Sequence, residues 1–280
     1  MANLVKKIRT DAGDLQIDYN ALANLPALNT MFSNPNLLIN SNFRNPVNQR
    51  GQTSYTGGSI YAIDRWMLGN NATLTVQSGS IKFEQSSGAT NTGRLVYKFE
   101  HALPANYYTI SIKVLSCNGG VSMDNFGAIA DGFTGIFTAT TTSKVELSTL
   151  RFYIAAGRNI ELEWIKLEQG SISTPFVPRL YGEELALCQR YYQKYSSYML
   201  FPQFYENQYH GFYFRVPLRV SPYVANFVAS STDGTSISVG ESAGGHIEVD
   251  ANCVRRLFAG NSYKGSAIQL ELLELDAEIY

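Results

Sequence analysis

Apolar and polar positions alternate over many short stretches of the chain, and Gly, Asn and Ser turns separate these stretches. In residues 108–114, Tyr, Ile and Val alternate with Thr, Ser and Lys, the period-two pattern of a strand with one buried face. Residues 74–76 and 81–83 alternate in the same way on either side of Gly79, which predicts a hairpin. Many such stretches between residues 36 and 180 predict a β-sandwich, and a jelly roll is the expected solution at this length.

The stretch before the first proline cluster predicts a further strand. Ile160, Leu162 and Trp164 alternate with Glu161 and Glu163, so the first three side chains are expected on the buried face. Two carboxylates on one strand face lie about 7 Å apart, a spacing compatible with glycoside hydrolysis. Because alternating Glu residues are common on exposed strand faces, the sequence favours a protein without enzymatic activity and with no catalytic residues.

A helix and a second group of strands follow. Pro175 and Pro178 cannot donate to a ladder, and a helix is predicted from Gly182. Its apolar positions recur at helical spacing: Leu185, Cys188, Tyr192 and Tyr195. Residues 270–275 are apolar on both faces, which predicts a strand that is central in a sheet or buried between subunits. The sequence thus predicts a mainly β chain with an N-terminal attachment arm (1–35), a jelly-roll β-sandwich (36–180), and a short linker helix with a second, C-terminal β domain (181–280).

Composition excludes several function classes. Of the 280 residues, 45% are hydrophobic and 16% charged, and the formal net charge is −1, so no basic field for nucleic acid is expected. No stretch approaches the ~18 apolar residues of a membrane span, so no membrane insertion is expected. Three widely spaced cysteines, Cys117, Cys188 and Cys253, argue against a disulfide framework or a zinc site and are compatible with synthesis in a reducing cytoplasm. No metal or cofactor motif is present, and none is expected to bind.

Three stretches resemble phage and prophage tail-fibre proteins. Residues 160–195 contain the strand W-x-K-L-E-x-G, the turn T-P-F-x-P-R and the helix Y-G-E-E-L-A-x-C-Q-R-Y-Y. Residues 36–51, NLLINSNFRNPVNQRG, and 61–66, YAIDRW, resemble the opening of a carbohydrate-binding-module-like jelly roll in that family. Residues 16–26, QIDYNALANLP, resemble the attachment segment before many fibre domains. The chain departs from longer fibres because it has no coiled-coil or β-helical shaft, which favours a compact tip or a decoration protein.

The resemblance implies synthesis in a host cytoplasm and a place in the virion, on a tail or another surface appendage. It implies a homotrimer that attaches to other virion proteins through the N-terminal arm and binds a carbohydrate of the host cell surface. Two alternatives stay open: a head fibre or a capsid or baseplate decoration protein without a glycan site, and an enzyme that degrades surface polysaccharide.

Candidate ligand-binding residues are aromatic. Tyr205, Tyr209 and His210 fall in a predicted loop at 202–210 that combines aromatic faces with amide and carboxylate groups. Trp66 is a candidate for ligand stacking, although a core position is favoured for it because Trp is usually buried.

Candidate subunit-interface residues are apolar positions that need a partner surface. Ile17, Leu22 and Leu25 lie in an arm too sparse in apolar residues to form its own core, and Leu273 lies in the strand that is apolar on both faces.

Overall fold

A short antiparallel hairpin opens the part of the chain that the structure describes. It joins β1 (Lys7–Thr10) to β2 (Gly13–Gln16). The structure is a computed structural model, and it describes residues 7–10, 13–16, 33–196, 199–202, 210–231, 236–237, 245–259 and 267–278. The predicted interface residues Ile17, Leu22 and Leu25 lie outside these residues, as do Tyr205 and Tyr209.

Twelve strands between residues 54 and 169 form the predicted sandwich. In chain order they are β3 (Ser54–Gly57), β4 (Ile60–Tyr61), β5 (Trp66–Gly69), β6 (Ala72–Gln77), β7 (Ser80–Glu84), β8 (Gly93–Asn106), β9 (Tyr108–Asn118), β10 (Val121–Met123), β11 (Gly127–Ile129), β12 (Gly135–Thr140), β13 (Val145–Ile154) and β14 (Asn159–Gln169). One six-stranded sheet has the order β12-β9-β14-β7-β6-β3, and the other has the order β11-β10-β13-β8-β5-β4. The hairpin predicted across Gly79 is β6–β7, and Gly79 has a φ of +88°, which glycine adopts without strain.

The inward-facing side chains of both sheets form one core. Trp66 lies at its centre with 0% exposure, and its ring packs edge-on against Tyr97 at 5.2 Å and Phe43 at 5.5 Å. The indole Nε1 of Trp66 donates to the carbonyl of Asn40 at 2.7 Å, so its polar group is satisfied inside the protein. Because Trp66 has no surface left for a ligand, its candidacy for ligand stacking is corrected, and the core role is the one the structure supports.

The C-terminal part begins with one helix and continues with short strands. The elements are α1 (Tyr181–Gln189), β15 (Tyr192–Tyr195), β16 (Met199–Pro202), β17 (His210–Tyr213), β18 (Tyr223–Ser231), β19 (Ser236–Ile237), β20 (Gly245–Val249), β21 (Cys253–Ala259) and β22 (Ala267–Asp276). The helical spacing predicted for Tyr192 and Tyr195 is wrong, because both residues lie in β15 and pair with β22. Their ladder with a strand distant in sequence overrides the local pattern. No helix of the described chain is long and apolar enough to cross a membrane.

Strand β22 is central in its sheet, as one of the two readings of its apolar pattern predicted. It pairs with β15 and β16 on one side and with β18 on the other. Leu273 has 0% exposure and packs in a second hydrophobic cluster together with Leu270, Leu275 and Phe214. A single chain therefore already buries Leu273, and its proposed place in a subunit interface is corrected.

A buried group of charged residues joins the chain's last described residues to the sandwich. Arg65 binds Glu278 at 2.5 Å, and both side chains are at most 1% exposed. The neighbouring Arg50 lies 3.5 Å from Asp276 and 3.7 Å from Asp64. Each guanidinium also lies over a tyrosine ring from β15 or the residue before it: Arg65 over Tyr191 at 3.7 Å and Arg50 over Tyr192 at 4.0 Å. Burial raises the pKa of Asp64 to about 6, against the opposing effect of Arg50.

Candidate functional site

The outer face of the sheet at its β12 edge carries rows of polar and apolar side chains in register. One row runs Ile136–Lys113–Trp164 across β12, β9 and β14, and the next runs Thr138–Ser111–Lys166. Neighbouring side chains in such rows lie about 5 Å apart and present one continuous surface. Ile136 is 59% exposed, so this face is partly apolar and open to solvent.

A β-bulge places Trp164 on this outer face. In the pairing of β14 with β9, Leu162 lies opposite Val114 and Trp164 lies opposite Lys113, so Glu163 is an extra residue. An extra residue reverses the alternation of side chains along the strand. The expectation that Trp164 shares the buried face with Ile160 and Leu162 is therefore wrong: Ile165 takes the inward position and Trp164 turns outward.

The bulge lies where β14 changes its neighbour. Residues 159–162 pair with β7, whereas Ile165 donates its backbone N–H to Ser41 at 2.9 Å and Phe43 donates to Glu163 at 2.9 Å. The segment around Asn42 thus replaces β7 along the second half of the strand and brings its side chains beside Trp164.

Residues 172–178, here called the strap, fold back from the end of β14 over the outer face. The ring of Phe176 stacks on that of Trp164, with 4.6 Å between centroids and 6° between planes. Trp164 and Phe176 are each half-buried, so the stacked pair keeps exposed aromatic surface. The strap thereby turns a flat sheet face into a cavity with an aromatic wall.

The cavity between the strap and the sheet has a volume of about 700 Å³. This falls within the range of small-ligand sites, roughly 300–1,000 Å³. Its lining combines aromatic and aliphatic surfaces with amide, hydroxyl and guanidinium groups: Asn42, Arg44, Ser111, Ile136, Thr138, Trp164, Ile172, Ser173, Thr174, Pro175, Phe176 and Pro178. Such a lining suits a ligand that has both apolar faces and hydroxyl groups.

Two polar groups of the lining stand out. The Oδ1 atom of Asn42 is buried, and it accepts no hydrogen bond within the described part of the chain. Because buried acceptors are nearly always paired, this oxygen is a natural partner for a ligand hydroxyl. Arg44 is paired with Glu163, yet its side chain remains 68% exposed at the rim.

Glu161 and Glu163, the two carboxylates with a spacing compatible with glycoside hydrolysis, have structural partners. Glu161 accepts a hydrogen bond from the Ser80 hydroxyl at 2.6 Å, and Glu163 is held by Arg44.

The remaining sequence-predicted site residues do not meet at this cavity in the described structure. His210 begins β17 and is half-buried, and burial lowers the pKa of its imidazole. The roles of Tyr205 and Tyr209 stay predictions. Among the residues described, no group of three His, Cys, Asp or Glu side chains could hold a metal ion, and Cys117, Cys188 and Cys253 are free.

The sequence did not predict the cavity because its two aromatic residues lie in different kinds of segment. The strand pattern predicts Trp164 in the core, and Phe176 lies between two prolines that indicate only the end of a strand. A local signal was present in hindsight: Trp164 is followed by Ile165, so two apolar residues adjoin where strict alternation would place a polar one.

Comparisons with known proteins give structural similarity only. No family model matches the sequence, and no curated protein matches it significantly. A mutant of the family 29 carbohydrate-binding module CBM29-2 is 12% identical, covers 45% of this chain and 95% of its own, and gives a TM-score of 0.32. A second CBM29-2 mutant, complexed with cellulohexaose, is 11% identical over 41% of this chain and 89% of its own, with a TM-score of 0.30.

The second N-terminal cellulose-binding domain of Cellulomonas fimi β-1,4-glucanase C is 12% identical, covers 51% of this chain and 99% of its own, and gives a TM-score of 0.32. Scores at this level do not transfer a function, which must come from the chain's own surface.

Proposed function

We propose that this chain is a carbohydrate-binding protein without enzymatic activity, and that the cavity beside Trp164 and Phe176 receives the sugar. The observation that carries the proposal is the stacked aromatic pair at the wall of a cavity of about 700 Å³ whose other walls are rich in hydroxyl and amide groups. Sugars offer C–H faces that pack on aromatic rings and hydroxyls that need hydrogen-bond partners. The buried, unpaired Oδ1 of Asn42 supplies one such partner.

We further propose that the protein is a component of a phage or prophage virion, as a tail fibre or receptor-binding protein. This rests on the sequence motifs at 16–26, 36–51, 61–66 and 160–195. In this role the chain forms a homotrimer, attaches to other virion proteins through residues 1–35, and meets a host cell-surface glycan. Three weak sugar sites on one trimer would act together by avidity. Sedimentation at micromolar concentration should give about three times the 31.0 kDa monomer mass, and a monomer mass would refute the trimer.

The binding proposal is tested on a glycan array with the purified chain and two variants. Trp164→Ala should lower the affinity for any glycan bound by the wild type about tenfold, because a stacked ring face is worth about 1 kcal/mol or more. Tyr107→Ala is the matched control, since Tyr107 is an aromatic residue 39% exposed and is not part of the cavity lining. Equal binding by wild type and Trp164→Ala would place the sugar site elsewhere, and Tyr205→Ala and Tyr209→Ala would then test the loop at 202–210.

An assembly subunit without a glycan site is the second candidate, and the exposed apolar side chains around the strap favour it. Ile172 is 56% exposed, Val177 63% and Leu180 73%. Exposed apolar surface of this kind is typical of protein contacts. A chain that binds no glycan on the array but assembles into virions, with assembly lost in Val177→Asp, would support this function in place of the first.

A further inference from the structure

An ion pair lies almost fully buried on the outer face of the sheet, beneath the strap. Lys166 Nζ and Glu168 Oε2 are 3.3 Å apart, and their side chains are 1% and 0% exposed. Both residues point away from the sandwich core, on the same side of β14 as Trp164. Outward-facing charges on a sheet normally remain in water, so a group of residues must cover this pair.

The strap covers the pair, and Thr174 is the residue that binds both charges. The Thr174 hydroxyl donates to Glu168 Oε2 at 2.5 Å and accepts from Lys166 Nζ at 2.5 Å. The backbone N–H of Thr174 donates to Glu168 Oε1 at 2.8 Å. Lys166 Nζ also donates to the carbonyl of Pro175 at 2.9 Å. Lys166 Nζ donates to the carbonyl of Thr174 at 3.1 Å as well. Five charge-assisted bonds therefore hold the strap at two consecutive residues, Thr174 and Pro175.

Residues before the sandwich complete the attachment. The hydroxyl of Ser33 donates to the carbonyl of Pro175 at 2.7 Å, and the backbone N–H of Asn34 donates to the Thr174 hydroxyl at 2.9 Å. Burial lowers the pKa of Lys166, and the neighbouring Glu168 opposes this shift.

This network lies next to the aromatic pair in sequence and in space. Phe176 follows Thr174 by two residues, and Trp164 precedes Lys166 by two residues on the same face of β14. Fixing Thr174 and Pro175 over Lys166 and Glu168 therefore fixes where Phe176 meets Trp164. Replacing a buried ion pair with apolar residues often leaves stability unchanged, so stability alone does not explain its presence here.

We propose that Lys166, Glu168 and Thr174 are positioning residues, which hold the strap closed so that Phe176 covers one face of Trp164 and the cavity exists. The inference rests on the proposed function only for the identity of the occupant as a sugar. The positioning itself is a property of the free protein and is measured without any ligand.

Acrylamide quenching of tryptophan fluorescence measures this property directly. The chain has two tryptophans, and Trp66 is fully buried, so quenching reports on Trp164. Thr174→Val removes the hydroxyl while keeping the shape, and Thr174→Ser keeps the hydroxyl as the matched control. Losing hydrogen bonds to charged groups should shift strap closure about tenfold or more toward the open form.

The quenching constant of Thr174→Val should then rise, with about a twofold increase as the limit for a fully open strap, since uncovering one of two ring faces doubles the surface open to the quencher. Thr174→Ser should behave as the wild type. Circular dichroism should show an unchanged β spectrum in both variants. If Thr174→Val does not fold, the double variant Lys166→Met, Glu168→Leu replaces it, and its quenching should also rise.

Unchanged quenching in a folded Thr174→Val chain would overturn the positioning role. If quenching increases in Thr174→Val but the wild type binds no glycan on the array, the positioning role is supported and the proposed function is refuted. The two ideas can thus fail separately.

Discussion

Replacing Glu278 with glutamine tests the buried charges that join the end of the chain to the sandwich. Glu278 accepts from the Arg65 backbone N–H at 3.0 Å and from its guanidinium at 2.5 Å. The guanidinium stays enclosed after the substitution, because Tyr97 and Tyr191 lie over it at 5.0 Å and 3.7 Å. The variant therefore leaves a buried cation without its ion-pair partner.

The magnitude follows from this enclosure. Removing one partner of a buried ion pair costs about 3–5 kcal/mol, because the other charge stays buried and uncompensated. The glutamine retains the shape and some hydrogen bonding, so we expect the lower end, about 3 kcal/mol. Against a typical unfolding free energy of about 5–15 kcal/mol, this is a fifth or more of the total.

Urea unfolding followed by circular dichroism measures this loss. The control is Glu146→Gln, a neutralised glutamate on the exposed face of β13, for which we expect a change within about 0.5 kcal/mol. A second variant, Arg65→Met with Glu278→Leu, removes both charges and should recover most of the loss. If Glu278→Gln is as stable as Glu146→Gln, the junction is open to water and the reasoning fails.

Three further predictions follow from burial and charge. The pKa of Asp64 is raised from 3.8 to about 6, so the folded chain binds this proton more tightly than the unfolded chain. The contribution of Asp64 should therefore raise the unfolding free energy by about 1 kcal/mol as pH falls from 7 to 5. In urea titrations at several pH values Asp64→Asn should lack this rise, and an equal rise in wild type and variant would contradict the pKa shift. Leu273→Asp should unfold the C-terminal strands of the single chain, because it places a carboxylate at a fully buried position. In thermal unfolding Leu272→Asp, on the half-buried side of β22, is the milder control. Equal melting temperatures of the two variants would show that Leu273 is not enclosed. Tyr205→Ala and Tyr209→Ala should abolish adsorption to host cells if the loop at 202–210 binds the receptor, and normal adsorption by both would remove that loop from consideration.

Elements whose pattern is local could be predicted from the sequence alone. Alternation placed the β6–β7 hairpin across Gly79, the strand at 108–114 and the apolar strand at 270–275, and together these fixed the mainly β fold class. The prolines at 175 and 178 correctly separated the last sandwich strand from helix α1. Each of these features depends on side-chain period and turn chemistry within about ten residues, which a sequence displays directly.

Features that depend on partners distant in sequence could be seen only in the folded chain. Tyr192 and Tyr195 have helical spacing, but pairing with β22 makes them strand residues. The bulge at Glu163 arises where β14 exchanges β7 for the segment around Asn42, and this exchange turns Trp164 outward.

The candidate site and the buried charges also depend on residues that are distant in sequence. The strap covers the sheet because Thr174 meets Lys166 and Glu168 across a chain reversal, and Arg65 meets Glu278 across most of the sequence. An outward-facing charge and an inward-facing one look alike in a sequence, because the period of a strand gives two faces but does not say what covers them. Which face is buried, and which side chains meet there, is set by non-local pairing, and in this protein that pairing builds the site.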